Sequence, residues 1–180
     1  KLGAALLLDK FNPGDPLKNY DLVRIKSYIS EQLSDLFIAC NKFQPQEIIG
    51  SAGSFETFST MIKHRFPEAG SHYGKTEHPV SLVHFKQLYK ELIVSDKEQR
   101  NKMKGLIKMR VDMIVMAALI LKFVLDKSHI KSMKMSAYSL KEGVIQADIS
   151  GLKDGDAFTV ATSQGVFMTQ KSSFVLVGTP

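Results

Sequence analysis

Glu47-Ile48-Ile49-Gly50-Ser51-Ala52-Gly53-Ser54 is the stretch that decides the fold, and Phe55 then opens an apolar-periodic run that reaches Phe66. Residues 47–50 suit a short buried strand, 50–54 a bend of small residues, and 55–66 a helix. Strand, glycine-rich bend and helix in that order belong to an α/β protein. Small residues at such a bend let backbone N–H groups approach an oxyanion, and the helix that follows adds its positive end. The same residues also suit a tight strand-to-helix turn that holds no ligand.

Upstream of this unit, residues 2–8 form a compact apolar run, read as a strand or as the lead into a helix. Asn12-Pro13-Gly14-Asp15-Pro16 is a turn by its chemistry. Asp21 is placed to cap a helix running to about Cys40, with Leu22, Ile25, Ile29, Leu33, Leu36, Phe37 and Cys40 on one face. Downstream, residues 67–79 carry Pro67, Gly70, Gly74 and Pro79 and read as a loop. Two helices are predicted next, over Ser81–Val94 and after Ser95, with Asp96 and Glu98 suited to the first turn of the second. Gly105 interrupts, and Asp112–Asp126 is the most apolar helix of the chain, a pattern that belongs in a protein interior. Ile130–Met135 alternates as a half-exposed strand does, and residues 138–145 suit a short helical turn closed by Gly143. From 147 to 180 the texture changes to glycines and β-rich runs, Phe158-Thr159-Val160 and Phe174-Val175-Leu176-Val177, as in two or three strands.

The chain has 180 residues, 44% hydrophobic and 23% charged, the profile of a globular domain with a core. Its longest apolar stretch, Met113–Leu121, is well short of the roughly 20 residues needed to span a membrane. No secretory signal is visible, and Lys1-Leu2-Gly3 opens as if cut from something longer. Cys40 is the single cysteine, which excludes an internal disulfide and suits a reducing, cytoplasmic setting. The five histidines are scattered, without zinc-like spacing, and His72 and His78 are placed in the glycine-rich loop. A net charge of +6 favours an anionic partner: nucleic acid, an acidic surface or a polyphosphate. Nucleic acid ranks last, because aromatic and basic residues are not interleaved as base stacking requires.

Four segments, in order, resemble the exopolyphosphatase/guanosine pentaphosphate phosphatase (Ppx/GppA) family. They are Leu2-Gly3-Ala4-Ala5 through Asp9-Lys10-Phe11, the bend Gly50–Ser54, Arg110-Val111-Asp112-Met113-Ile114-Val115, and Ser136 to Leu140 with Lys141-Glu142-Gly143-Val144. The resemblance covers residues 1–146 and leaves 147–180 aside. It implies an actin/hexokinase-like ATPase-superfamily fold of two ribonuclease-H-like lobes, with this chain as the second lobe and a β-rich tail. It also implies release of terminal phosphate from inorganic polyphosphate or guanosine pentaphosphate with magnesium and an activated water. In the family the catalytic carboxylates and main phosphate loops lie in the half before this segment, so the fragment alone is expected to be inactive, with the magnesium ligands outside it. The implied partners are polyphosphate or a guanosine penta- or tetraphosphate, the missing N-terminal lobe and a possible second copy, with no membrane.

By the same resemblance Gly50, Ser51, Ala52, Gly53 and Ser54 face the cleft and touch substrate through backbone amides and hydroxyls. Arg110 matches a family arginine that contacts phosphate, where a guanidinium clamps two oxygens as lysine cannot. The alternative for Arg110 is a salt bridge to Asp112 or a neighbouring carboxylate, and Asp112 is expected to cap the helix after it. Glu142 and Ser136 are expected to be structural. Leu6 stands where the family often has arginine, which puts that contact in doubt and favours, mildly, a non-catalytic sensor of phosphorylated guanosine nucleotides. Lys97, Lys102, Lys104 and Lys108 suit either a basic face along a polymer's path or an ordinary solvated helix face.

Overall fold

A computed structural model describes residues 2–51, 53–67 and 76–138, together with the strands at 157–162 and 165–170. The chain divides into two compact units, Lys1–Ala137 and Tyr138–Pro180. The first is mixed α/β: helices α1 (Ala4–Phe11), α2 (Asn19–Gln32) and α3 (Ser34–Phe43), strand β1 (Glu47–Ser51), helix α4 (Gly53–Arg65), strand β2 (Glu77–Pro79), helices α5 (Leu82–Val94), α6 (Lys97–Asn101) and α7 (Ile114–Ser128), and strand β3 (Ser132–Ser136). In the second unit, β4 (Ala157–Thr162) and β5 (Gly165–Gln170) pair antiparallel. The run Phe174–Val177 and the expected turn from residue 139 onward lie outside the described residues.

The interior forms around α7, as its apolar sequence requires. Ile114, Val115, Met116, Ala117, Ala118, Leu119 and Leu121 are all buried, so no side of its first two turns faces water. Leu7 of α1, Ile25 and Ile29 of α2, and Phe85, Leu88 and Leu92 of α5 belong to the same cluster. Phe58 of α4 meets Phe85 edge-on, with ring centroids 5.3 Å apart, which ties α4 into the core. Among the described residues no helix is long and apolar enough to cross a membrane.

The first sheet has the order β1-β3-β2. β1 and β3 run parallel, with Ile48 opposite Met133 and Gly50 opposite Met135, while β2 runs antiparallel to β3. Met133 and Met135 are buried and Lys134 lies between them on the other face, as the alternation of 130–135 predicts. Lys134 pairs there with Glu47 at 3.3 Å.

Several expectations need correction. Residues 4–11 form a helix and no strand; the Ala-Ala-Leu-Leu-Leu core of this run has high helix propensity, and only Leu7 is fully buried. The helix expected from Asp21 to Cys40 is two helices broken at Leu33 (φ −110°, ψ 14°). The apolar stripe continues across the break and so hides it, but burial does not: Ile25 and Ile29 are enclosed, whereas α3 buries no residue. Asp21 does not cap α2; its carboxylate accepts from Gly14 N at 3.2 Å and pins the preceding turn. The segment before Pro79 is not all loop, because Glu77–Pro79 pair with β3. The apolar helix begins at Ile114, with no side-chain cap, and Asp112 instead pairs with Lys97 Nζ at 2.8 Å. Glu98 lies in the first turn of α6 as expected, whereas Asp96 stands just before it and caps the helix with a reciprocal Gln99 bond.

Two stability predictions follow from packing. A Cβ on Gly50 would lie 1.8 Å from the Phe55 ring, so Gly50→Ala should destabilise the chain by about 1–3 kcal/mol in denaturant titration. Partial burial, helped by the Asp126 charge, raises the Tyr89 hydroxyl above its ordinary 10.0. The folded state therefore holds that proton more tightly than the unfolded chain. Its contribution is complete below the unfolded value and is lost as pH rises through the folded one. Tyr89→Phe should flatten the fall in thermal stability above pH 10.0.

Candidate functional site

The bend after β1 is built by two close approaches. Gly50 is buried, and the Phe55 ring occupies the place where a Cβ would stand, so no side chain fits there. Gly53 opens α4 at φ +40°, in the left-handed region that side chains disfavour. Thr57 Oγ1 donates to Gly53 O at 3.1 Å, which holds the first turn. The leading N–H groups of a helix have no intrahelical partner, and those of α4 begin at this bend. The chain therefore presents a helix N-terminus at the carboxyl end of β1, beside Ser136 at the end of β3.

Arg110 reaches the same place from far along the chain. It closes a 3-10 turn, Lys108–Arg110, and its own N–H bonds Ile107 O at 2.9 Å. Its guanidinium lies over Gly53: Nη1 is 3.1 Å and Nη2 3.6 Å from where a Cβ on that glycine would stand. The Arg110 Nε is buried and has no hydrogen-bond partner among the described residues. The salt bridge considered for Arg110 is absent among them, because Asp112 is engaged by Lys97. A guanidinium beside a glycine-lined helix N-terminus can take an anion between its donors and the backbone amides.

Of the residues singled out in the sequence, Gly53 and Arg110 are in direct apposition, and Gly50 shapes the bend from beneath. Ser51 is exposed at the end of β1 and Ser54 is half-buried in the first turn of α4. Ala52 and Glu142 lie outside the described residues. Leu6 is 40% exposed on α1 and its neighbour Leu7 is fully buried. Lys102, Lys104 and Lys108 are exposed, while Lys97 is committed to Asp112. A cleft of 430 Å³ lined by Ser59, Ile62, Lys63, Val80, Ser81 and Met133 includes none of the bend residues and not Arg110. Among the described residues no group of three or more His, Cys, Asp or Glu side chains could hold a metal ion.

One residue that positions the site has no sequence signal. Arg100 is only 4% exposed, and its Nε donates to Val111 O at 2.9 Å, next to Arg110. Its Nη1 bonds both Asp15 Oδ1, at 2.8 Å, and Ser95 O. Nothing near Arg100 in the sequence distinguishes it from the solvated lysines around it, because its partners lie on other elements. Arg100→Ala leaves two backbone carbonyls without this donor, so it should lower stability by about 1–3 kcal/mol in denaturant titration. Arg100→Lys should recover only part of the loss, since one ammonium cannot reproduce the fork.

Comparisons with known proteins bear on the whole of this region. A family model described as the Ppx/GppA phosphatase family matches residues 1–150. An exopolyphosphatase from Cytophaga hutchinsonii superposes with a TM-score of 0.77 at 33% identity, over 84% of this chain and 49% of that one. A Ppx/GppA enzyme from Aquifex aeolicus superposes with a TM-score of 0.67 at 18% identity, over 81% of this chain and 47% of that one, a likeness of fold. The chain thus spans about half the length of these solved proteins. No curated protein matched it.

Proposed function

Because the chain belongs to the Ppx/GppA phosphatase family, we propose that it serves as one lobe of a phosphatase that hydrolyses terminal phosphoanhydride bonds of inorganic polyphosphate or guanosine pentaphosphate. In this reading residues 1–146 are the second, ribonuclease-H-like lobe of an actin-like core. Residues 147–180 are a β-rich tail of unassigned role. The observation that carries the proposal is the Arg110 guanidinium lying over Gly53, with its Nε buried and without a partner among the described residues. A guanidinium N–H buried without a partner is costly unless an acceptor completes it.

The role of this lobe is to hold and neutralise. Phosphoryl transfer spreads negative charge over the equatorial oxygens, and catalysis consists largely of positioning and charge stabilisation. Arg110 supplies two parallel N–H donors, the amides at the start of α4 supply more, and the hydroxyls of Ser51 and Ser54 complete the contact. By the family resemblance, the magnesium ion and the activation of water belong to residues beyond this chain. The complete enzyme is proposed to act in the cytoplasm.

Leu6 favours a second reading, a sensor of phosphorylated guanosine nucleotides without turnover. An aliphatic side chain, 40% exposed on α1, stands where the resemblance places a cation. One set of measurements separates the two. In a complete protein carrying this lobe, phosphate release from polyphosphate and from guanosine pentaphosphate should depend on magnesium. Arg110→Ala should lower kcat/KM on the order of 10- to 100-fold, and Arg110→Lys should restore little of it. Tight calorimetric binding of the nucleotide without phosphate release supports sensing; full activity in Arg110→Ala removes the site.

A further inference from the structure

The cleft of 430 Å³ lies among the second half of α4, the turn from β2 into α5 and the start of β3. Its walls are mainly apolar: Ile62 of α4, Val80 ahead of α5, Leu82 and Val83 in the first turn of α5, and Met133 of β3. Ile62, Val80 and Met133 belong to the core cluster, and Val80 N donates to Met133 O at 2.8 Å. Much of the lining is therefore fixed by the packing of the interior. The hydroxyls at the cleft are already engaged. Ser59 Oγ lies 2.7 Å from His78 Nε2, Ser81 Oγ accepts from His84 N at 3.3 Å, and Ser132 Oγ donates to Glu47 at 2.9 Å.

The remaining polar groups are two cations from different elements, Lys63 on α4 and Lys131 just ahead of β3, both exposed. Neither has a carboxylate partner among the described residues. Glu47, the carboxylate that Ser132 bonds, is paired with Lys134 instead. Apolar walls beside unpaired ammonium groups suit a ligand that brings both an apolar body and an anion, and the volume is that of a small-molecule site. A nucleotide is the poorer occupant, because no aromatic side chain lines the cleft to stack on a base. Polyphosphate is poorer still, since a chain charged along its whole length gains nothing from Ile62, Val80 and Met133.

We infer that this cleft binds a small amphiphilic anion, an alkyl chain ending in a carboxylate or phosphate head. The alkyl chain lies on Ile62, Val80, Leu82 and Met133, and the head sits between the ammonium groups of Lys63 and Lys131. The cleft shares no residue with the bend and does not include Arg110.

NMR titration of the 180-residue chain tests this, with hexanoate, hexyl phosphate, hexanol and inorganic phosphate as the probes. Hexanoate or hexyl phosphate should shift the signals of Ile62, Val80, Val83 and Met133 along a saturating curve, and the tighter of the two names the head group. Hexanol and inorganic phosphate should each bind there at least about tenfold more weakly, because each offers half of the recognition. Lys63→Glu combined with Lys131→Glu changes two exposed positions, so it should keep the melting temperature and weaken the tighter amphiphile on the order of tenfold. Val83→Asp places a carboxylate in the first turn of α5, where a helix favours one, and should weaken the same ligand without unfolding the chain. Four results overturn the inference: no saturating shift at these residues with either amphiphile, hexanol binding as tightly as the amphiphiles, inorganic phosphate doing so, or unchanged affinity in both variants. Arg110→Ala should leave all of these shifts in place, so the cleft and the phosphatase reading fail separately.

Discussion

A helix that is apolar on every side has to be enclosed, and α7 imposes that requirement on the rest of the first unit. Helices α1, α2 and α5 contribute Leu7, Ile25, Ile29, Phe85, Leu88 and Leu92 to the cluster around it, and α4 joins through Phe58. Enclosing one helix with others sets where their ends fall. The start of α7 is preceded by Val111, itself buried, and by the 3-10 turn that carries Arg110. The burial of α7 thus fixes the root of the arginine that lies over the bend.

The bend is the second half of the same arrangement. β1 places Gly50 under the Phe55 ring, and Gly53 takes the left-handed turn that starts α4. Glycine at 53 leaves the space that the Arg110 guanidinium occupies, and Arg100 holds the carbonyl of Val111, the residue after it. Two arginines ten residues apart therefore do opposite things. Arg100 is engaged by Asp15, Ser95 and Val111 and acts as a fastener. Arg110, by contrast, has its buried Nε unsatisfied among the described residues.

Much of the fold was legible before any coordinates. The strand read at 47–50, the helix after the bend, the helix read over 81–94, the helix starting after Ser95 and the alternation of β3 all arise from patterns within a few residues. The failures share a cause. A stripe spaced at i, i+3 and i+4 continues from α2 into α3, so the break at Leu33 left no mark. Asp21 and Asp112 both look like helix caps because aspartate favours caps, yet each is taken by a partner outside its own turn, Gly14 N and Lys97.

The sequence by itself determined the identity of the bend, the apolar helix at the centre and the family to which the chain belongs, since each depends on residue types at short spacing. Only the tertiary structure decided that Arg110 meets Gly53 and that Arg100 is a buried fastener. Those outcomes depend on contacts between residues far apart in the chain. Local propensity carries no information about which distant backbone a side chain will find, because that is settled by how the helices close around α7.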